Sequence, residues 1–219
     1  MDLEPHFSTA ALLTIDTQVD TLDGQPLEIS GTSAVLPHIR ELCRAFRDSA
    51  RLIVHVVRLY RGDGSNAEPL RQDLVSGPTP ILRPGTPGRL LAPGLGPEGI
   101  ADLDDELLLS GRPQVLGPAE AVFYKPRWGA FVGTMLDEYL RGARVDTLVF
   151  AGCNFPNCPR TSIYEASERD YRVVLVEDAV SGLYDRGRRE MLDVGVSVLS
   201  TGEVIAAVRE LANVPVTTT

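Results

Sequence analysis

Leu148-Val149-Phe150-Ala151-Gly152-Cys153-Asn154-Phe155-Pro156-Asn157-Cys158-Pro159-Arg160 begins as a short apolar run and turns at Gly152 and an Asn-Phe-Pro-Asn tetrapeptide. It then leads into residues 161–170, which read as helix. An apolar run ending at a glycine has the composition of a buried parallel strand. Proline is favoured at the first helical position, where its missing N–H would have no partner anyway. With Pro159 there, Cys158 falls at the N-cap, where free N–H groups and the helix dipole favour a thiolate. The reading sets a cysteine of lowered pKa at the carboxyl end of a strand, the edge where open α/β sheets bind ligands.

Outward from this stretch the same alternation repeats. Apolar runs predict strands at residues 10–16, 52–59, 121–125, 145–151, 172–176 and 196–199. Between them, helical spacing predicts helices at 33–50, 134–141, 161–170 and 186–193, and a last one capped by Thr201 and running to about Leu211. Glu177-Asp178-Ala179 reads as the polar end of the fifth strand. Strands alternating with helices predict a three-layer α/β/α sandwich around a mostly parallel, Rossmann-like sheet of about six strands. Residues 60–117 are rich in Pro, Gly and turn residues and read as an irregular loop insert over the strand ends, with 1–219 as one domain.

Composition bounds the function. Of 219 residues, 43% are hydrophobic and 23% charged, ordinary for a soluble globular chain. A net charge of −9 argues against a nucleic-acid or anionic-membrane partner. Three cysteines without a secreted-scaffold pattern suggest free thiols in a reducing compartment. The start, Met1-Asp2-Leu3-Glu4-Pro5-His6, lacks a basic and then apolar leader, and no apolar run approaches the roughly 20 residues of a membrane span. A cytoplasmic protein is expected.

Asp16, Lys125 and Cys158 each close or follow a predicted strand on its carboxyl side, so a parallel sheet brings them to one edge. Together they are an acid, a cation and a nucleophile. Cys43 falls on the apolar face of its helix and reads as core, and Cys153 as a buried wall residue. His55, flanked by valines, reads as a hydrogen-bonded histidine of the sheet.

Asp16 in Ile-Asp-Thr-Gln-Val-Asp, Lys125 in Phe-Tyr-Lys-Pro-Arg-Trp-Gly-Ala-Phe, and Gly152 with Cys158 six residues on resemble the isochorismatase-like cysteine hydrolases. That superfamily includes nicotinamidases, N-carbamoylsarcosine amidases and ureidoacrylate amidohydrolases. The resemblance implies a hydrolase that cleaves a C–N bond of a small amide, ureido or lactam substrate. Asp16 would be the base, Lys125 the charge that holds it, and Cys158 the nucleophile that becomes an acyl-enzyme. It also implies a cis peptide at Cys153–Asn154 and an oxyanion hole from the backbone N–H groups of Asn154 and Cys158. No cofactor is implied, and relatives suggest a homo-oligomer, dimer or tetramer.

The chain departs from the family where Phe155-Pro156 replaces a commoner Thr and acidic pair. With histidines only at 6, 38 and 55, a histidine metal site is not expected. Candidate substrate contacts are Gln18, Trp128, Phe131 and Phe155; Gln18 equally suits orienting Asp16, and Phe131 equally suits the core. Arg58 and Asn66 read as solvated loop residues ahead of substrate contacts, and Arg160 as a partner for Glu165. Two alternatives stay open: an enol-ether hydrolase of isochorismatase type, and a catalytically silent member that binds a ligand through the same edge.

Overall fold

The computed structural model describes residues 4–99 and 102–212. The reading of Met1 to Leu3 lies outside them. The described residues form a seven-stranded sheet of order β3-β4-β2-β1-β5-β6-β7. Its strands are β1 (Ala10–Ile15), β2 (Leu52–Val57), β3 (Gln114–Gly117), β4 (Glu120–Tyr124), β5 (Thr147–Gly152), β6 (Arg172–Val180) and β7 (Ser197–Leu199). All pairings are parallel except β3 with β4.

The helices are α1 (Thr32–Asp48), α2 (Gln72–Val75), α3 (Asp105–Leu109), α4 (Leu136–Gly142), α5 (Cys158–Ser167), α6 (Asp185–Asp193) and α7 (Thr201–Ala212). None of the described helices is long and apolar enough to cross a membrane. Every residue of β1 and β5 is buried, as expected of central parallel strands covered on both faces. Alternate side chains feed two cores. Leu13, Ile15, Val54 and Phe150 pack with Leu136 and Leu140 of α4 and Ile163 of α5. Leu12, Ile53, Val149 and Val174 pack with Leu36, Ile39 and Phe46 of α1 and Val204 of α7.

The three-layer architecture agrees with the expectation, and four details correct it. The sheet has a seventh strand: β3 is short and half-exposed, so the alternation that marks a core strand is absent. β6 continues through Glu177-Asp178-Ala179 to Val180 instead of ending before them. Thr201 is not the cap of the last helix. Ser200 and Glu203 exchange hydrogen bonds as a capping box, and Thr201 Oγ1 donates to Asp178 at 2.8 Å. The 60–117 stretch is not loop throughout, since α2, α3 and β3 lie in it. Asp104 caps α3 by accepting from the Leu107 N–H at 2.9 Å.

These segments are pinned to the strand ends. The Leu82 N–H donates to Asp20 Oδ2 at 2.6 Å, and Arg89 Nε donates to Asp105 at 2.6 Å. The strand order reverses between β1 and β5, and the crevice outside the carboxyl ends at such a switch point is where this kind of sheet binds ligands.

Candidate active site

Asp16 is the first residue past β1, with φ +48°, a left-handed conformation uncommon outside glycine. Its backbone is tied down on both sides. The N–H donates to Val56 O at 2.9 Å, and the carbonyl accepts from Gln18 N–H at 3.0 Å and Thr21 Oγ1 at 3.1 Å. Lys125 is the first residue past β4, and its N–H donates to Val57 O at 3.0 Å. Its side chain is fully buried and spends all three ammonium donors: Asp16 Oδ2 at 3.0 Å, and the carbonyls of Arg127 and Trp128 at 3.2 Å each.

Cys158 is the first residue of α5, with Asn157 as N-cap. The expected N-cap cysteine and first-position Pro159 therefore each sit one residue deeper in the helix. The Cys158 carbonyl accepts from Ser162 Oγ at 2.7 Å, and Ser162 Oγ in turn accepts from Ala130 N–H, which joins the Lys125 loop to α5. The thiol is 5% exposed.

Burial and the adjacent Asp16 carboxylate push its pKa up to about 11, against the pull of Lys125 and Arg58. The expectation of a lowered pKa is thus corrected. The helix N-terminus and a cation favour the thiolate, but desolvation and the charge of the Asp16 carboxylate outweigh them. At neutral pH Cys158 is a thiol with a base already beside it.

The Cys153–Asn154 peptide is cis, at the position the resemblance implied. The loop after it is fixed by Phe155 N–H to Ser181 O at 2.8 Å and Asn157 Nδ2 to Asn154 Oδ1 at 3.0 Å. Among the described residues, the N–H groups of Asn154 and Cys158 have no acceptor. Cys153 is buried, donates its S–H to the Asp16 carbonyl at 3.0 Å, and is pushed up to about 12 by burial and by Asp16. It is a wall residue, as its sequence position suggested.

The four expected substrate contacts fare differently. Gln18 is fully buried and its amide clamps backbone: Nε2 donates to the carbonyls of Arg58 and Arg89, and Oε1 accepts from Arg58 N–H. Phe131 is buried in the core 6.1 Å from the ring of Tyr171, the residue before β6. Phe155 is buried against Tyr184, edge-on at 5.6 Å, because glycine at 187 leaves room for its ring. It anchors the loop on α6 and forms no open wall. Only Trp128 stays at the site, partly buried, its carbonyl on Lys125.

Arg58, read as a solvated loop residue ahead of a substrate contact, belongs here, and so does Glu68, which the sequence reading passed over. Arg58 is not solvated; it is 2% exposed and paired with Glu68, itself 6% exposed, at 2.5 Å. Burial opposes its charge, yet Tyr60, Asp16 and Glu68 outweigh that and raise its pKa. An arginine directly after an apolar strand carries the same signal that singled out Lys125. Arg160 pairs with Glu190 at 2.6 Å and not with Glu165, whose carboxylate accepts from Phe131 N–H. A cavity of about 660 Å³ lies at the opposite edge, lined by Thr9, Leu52, Ala119 and Tyr139, and contains none of these groups.

A carboxylate, an ammonium and a thiol thus meet at the carboxyl edge of a three-layer α/β/α sheet. The isochorismatase domain model matches residues 104–207. The solved isochorismatase family protein from Desulfovibrio vulgaris subsp. vulgaris str. Hildenborough is 32% identical over 93% of this chain and 97% of its own, with a TM-score of 0.76. The chain belongs to the isochorismatase family. It is also similar to a probable inactive nicotinamidase of Arabidopsis thaliana, 28% identical over 80% of this chain and 82% of the relative. The ureidoacrylate amidohydrolase RutB of Variovorax paradoxus is 27% identical over 81% of this chain and 71% of the relative.

Proposed function

We propose that this chain is an amidohydrolase that opens a C–N bond of a small amide or ureido compound through an acyl-enzyme on Cys158. The observation that carries the reading is the buried Asp16 carboxylate, held by Lys125 at 3.0 Å and close enough to the Cys158 thiol to raise its pKa. Because the resting thiol is neutral, the reaction needs a base in place, and Asp16 is one.

Asp16 takes the thiol proton as Cys158 Sγ bonds to the carbonyl carbon. The oxyanion is met by the unpaired N–H groups of Asn154 and Cys158; one such donor contributes about 10²–10³ in rate. The C–N bond breaks, the proton held on Asp16 goes to the departing nitrogen, and a thioester remains. Asp16 then takes a proton from water as the water oxygen bonds to the thioester carbon; the C–S bond breaks, the proton on Asp16 goes to the sulfur, and the acid product leaves. Lys125, its donors spent on Asp16 and two carbonyls, keeps the carboxylate oriented. Relatives whose names state amide cleavage support the same reading. The reading takes residues 1–219 as one cytoplasmic domain that works as a homo-oligomer.

The test is turnover, since one similar protein carries the label inactive. Ammonia or amine release is measured over a panel of small amides and ureido compounds, with mass spectrometry for an acyl adduct on Cys158. Cys158→Ala should reduce release to background while its unfolding midpoint stays close to that of the parent. Full activity in that variant would overturn the mechanism.

A further inference from the structure

Two buried charges beside the proposed nucleophile have no part in the acyl-transfer steps. Arg58 follows β2 directly, and the Gln18 amide holds both its N–H and its carbonyl. Its guanidinium carbon lies 5.7 Å from the Tyr60 ring and 5.9 Å from the ring of Trp128, the residue whose carbonyl binds Lys125. It is near enough to Asp16 for that charge to act on it, and near enough to Cys158 to pull against the rise of the thiol's pKa. Glu68 pairs with it from the segment that crosses the strand ends.

Buried polar atoms are ordinarily paired. Among the described residues, three buried side-chain atoms with no hydrogen-bond partner belong to this one cluster: Asp16 Oδ1, Arg58 Nε and Glu68 Oε2. Two acceptors and a donor are thus left open on the Lys125–Asp16 and Arg58–Glu68 pairs. The buried charges are balanced, with Lys125 against Asp16 and Arg58 against Glu68. Arg71 adds a further cation at the rim, stacked 4.4 Å over Trp128 and donating to Tyr60 Oη at 3.3 Å. It is partly exposed, so water and salt screen it.

We propose that Glu68, by neutralising Arg58, makes this a site for neutral amides that give an N–H to Glu68 and an oxygen to Arg58, and bars substrates with a carboxylate beside the reacting carbon. A ureido or carbamoyl group supplies both contacts. A carboxylate would enter a desolvated site against two carboxylates whose counter-charges are already taken, a rejection by unpaired charge. The inference rests on Cys158 as the nucleophile.

Iodoacetamide and iodoacetate are matched probes, alike in shape and differing in charge. The rate at which each alkylates Cys158 is followed by mass spectrometry at one fixed pH, and their ratio is divided by the ratio for free cysteine. The parent protein should favour iodoacetamide by about tenfold or more, since a like charge is disfavoured in a desolvated site. Glu68→Gln leaves Arg58 unpaired and should lower that preference about tenfold or more by the same reasoning. Glu68→Ala is a second route to the same state, and the parent ratio is a test without either variant. Equal corrected rates, a preference for iodoacetate, or a ratio unmoved in a folded variant would overturn this inference alone. A Cys158 that neither reagent reaches in the folded protein would overturn it together with the nucleophile.

Discussion

Lys125 Nζ stands 3.0 Å from Asp16 Oδ2, although the two residues close strands β4 and β1, which are separated by β2. The ion pair spans the width of a strand, and both side chains are buried. Removing one partner of such a pair leaves the other charge uncompensated, which costs about 3–5 kcal/mol. Lys125→Met should lose about that much stability in denaturant titration. The Asp16→Asn, Lys125→Met double variant should cost clearly less than the two single changes summed. Additive costs would mean that the pair is not energetically coupled.

The Cys158 thiol gives a second expected outcome. Burial and Asp16 push it up to about 11. Thiolate absorbance attributable to Cys158, taken as the difference from Cys158→Ala, should be absent at neutral pH and grow only well into the alkaline range. Its alkylation rate should climb over the same range. Since Lys125 opposes the shift, Lys125→Met should move the thiolate transition further upward. A plateau near pH 7 in the parent would show a pre-formed thiolate.

Gly152 marks where β5 ends against β1. Its φ is +118°, and a Cβ there would lie 2.2 Å from the Ile15 carbonyl oxygen and 2.6 Å from the Ile15 nitrogen. These are backbone atoms of the paired strand, so neither can rotate away. Gly152→Ala combines that overlap with a conformation unfavourable to L side chains and should cost about 3 kcal/mol or more. Denaturant midpoints of parent and variant measure it, and a change under 1 kcal/mol would contradict the close approach.

What was legible in the sequence follows how locally each feature is encoded. Ala10–Ile15 and Thr147–Gly152 are buried on both faces, so a bare apolar run was enough to place them. Asp16, Lys125 and Cys158 were legible because each interrupts the pattern at a strand end. Arg58 interrupts it in the same way, but its partner Glu68 sits in an irregular segment where no period marks burial, and without that partner Arg58 read as solvated. Phe131 and Phe155 failed as pocket walls because an aromatic in a loop can turn either way. Phe131 turns to Tyr171, just before β6, and Phe155 to Tyr184, just before α6, contacts set by residues well along the chain. The Cys158 pKa was misjudged for a related reason: the helix terminus is local and visible, whereas desolvation depends on everything packed around it.

His55 reads correctly as a histidine bonded within the sheet, and its partners give an acid limit to stability. The side chain is fully buried between Thr14 Oγ1 at 2.7 Å and Glu120 Oε1 at 2.8 Å, and Arg47 closes on Glu120 from α1 at 2.6 and 2.7 Å. Burial lowers its pKa from 6.5 despite Glu120, so the folded protein holds it neutral: Nε2–H donates to Glu120 and Nδ1 accepts from Thr14. The unfolded chain takes up a proton near pH 6.5 that the folded chain refuses, so the stability contribution is complete above that pH and is lost as pH falls below it. The slope from one such group is at most about 1.4 kcal/mol per pH unit. Glu120 has its own window, beginning below 4.5, because its pairing with Arg47 and His55 overcomes burial and lowers its pKa. Denaturant titrations between pH 7 and 5 should show stability falling with pH, and His55→Gln, which cannot titrate, should be less stable at pH 7 but flatter across that range. A parent flat from pH 7 to 5, or a variant with the same slope, would show that His55 is charged in the fold.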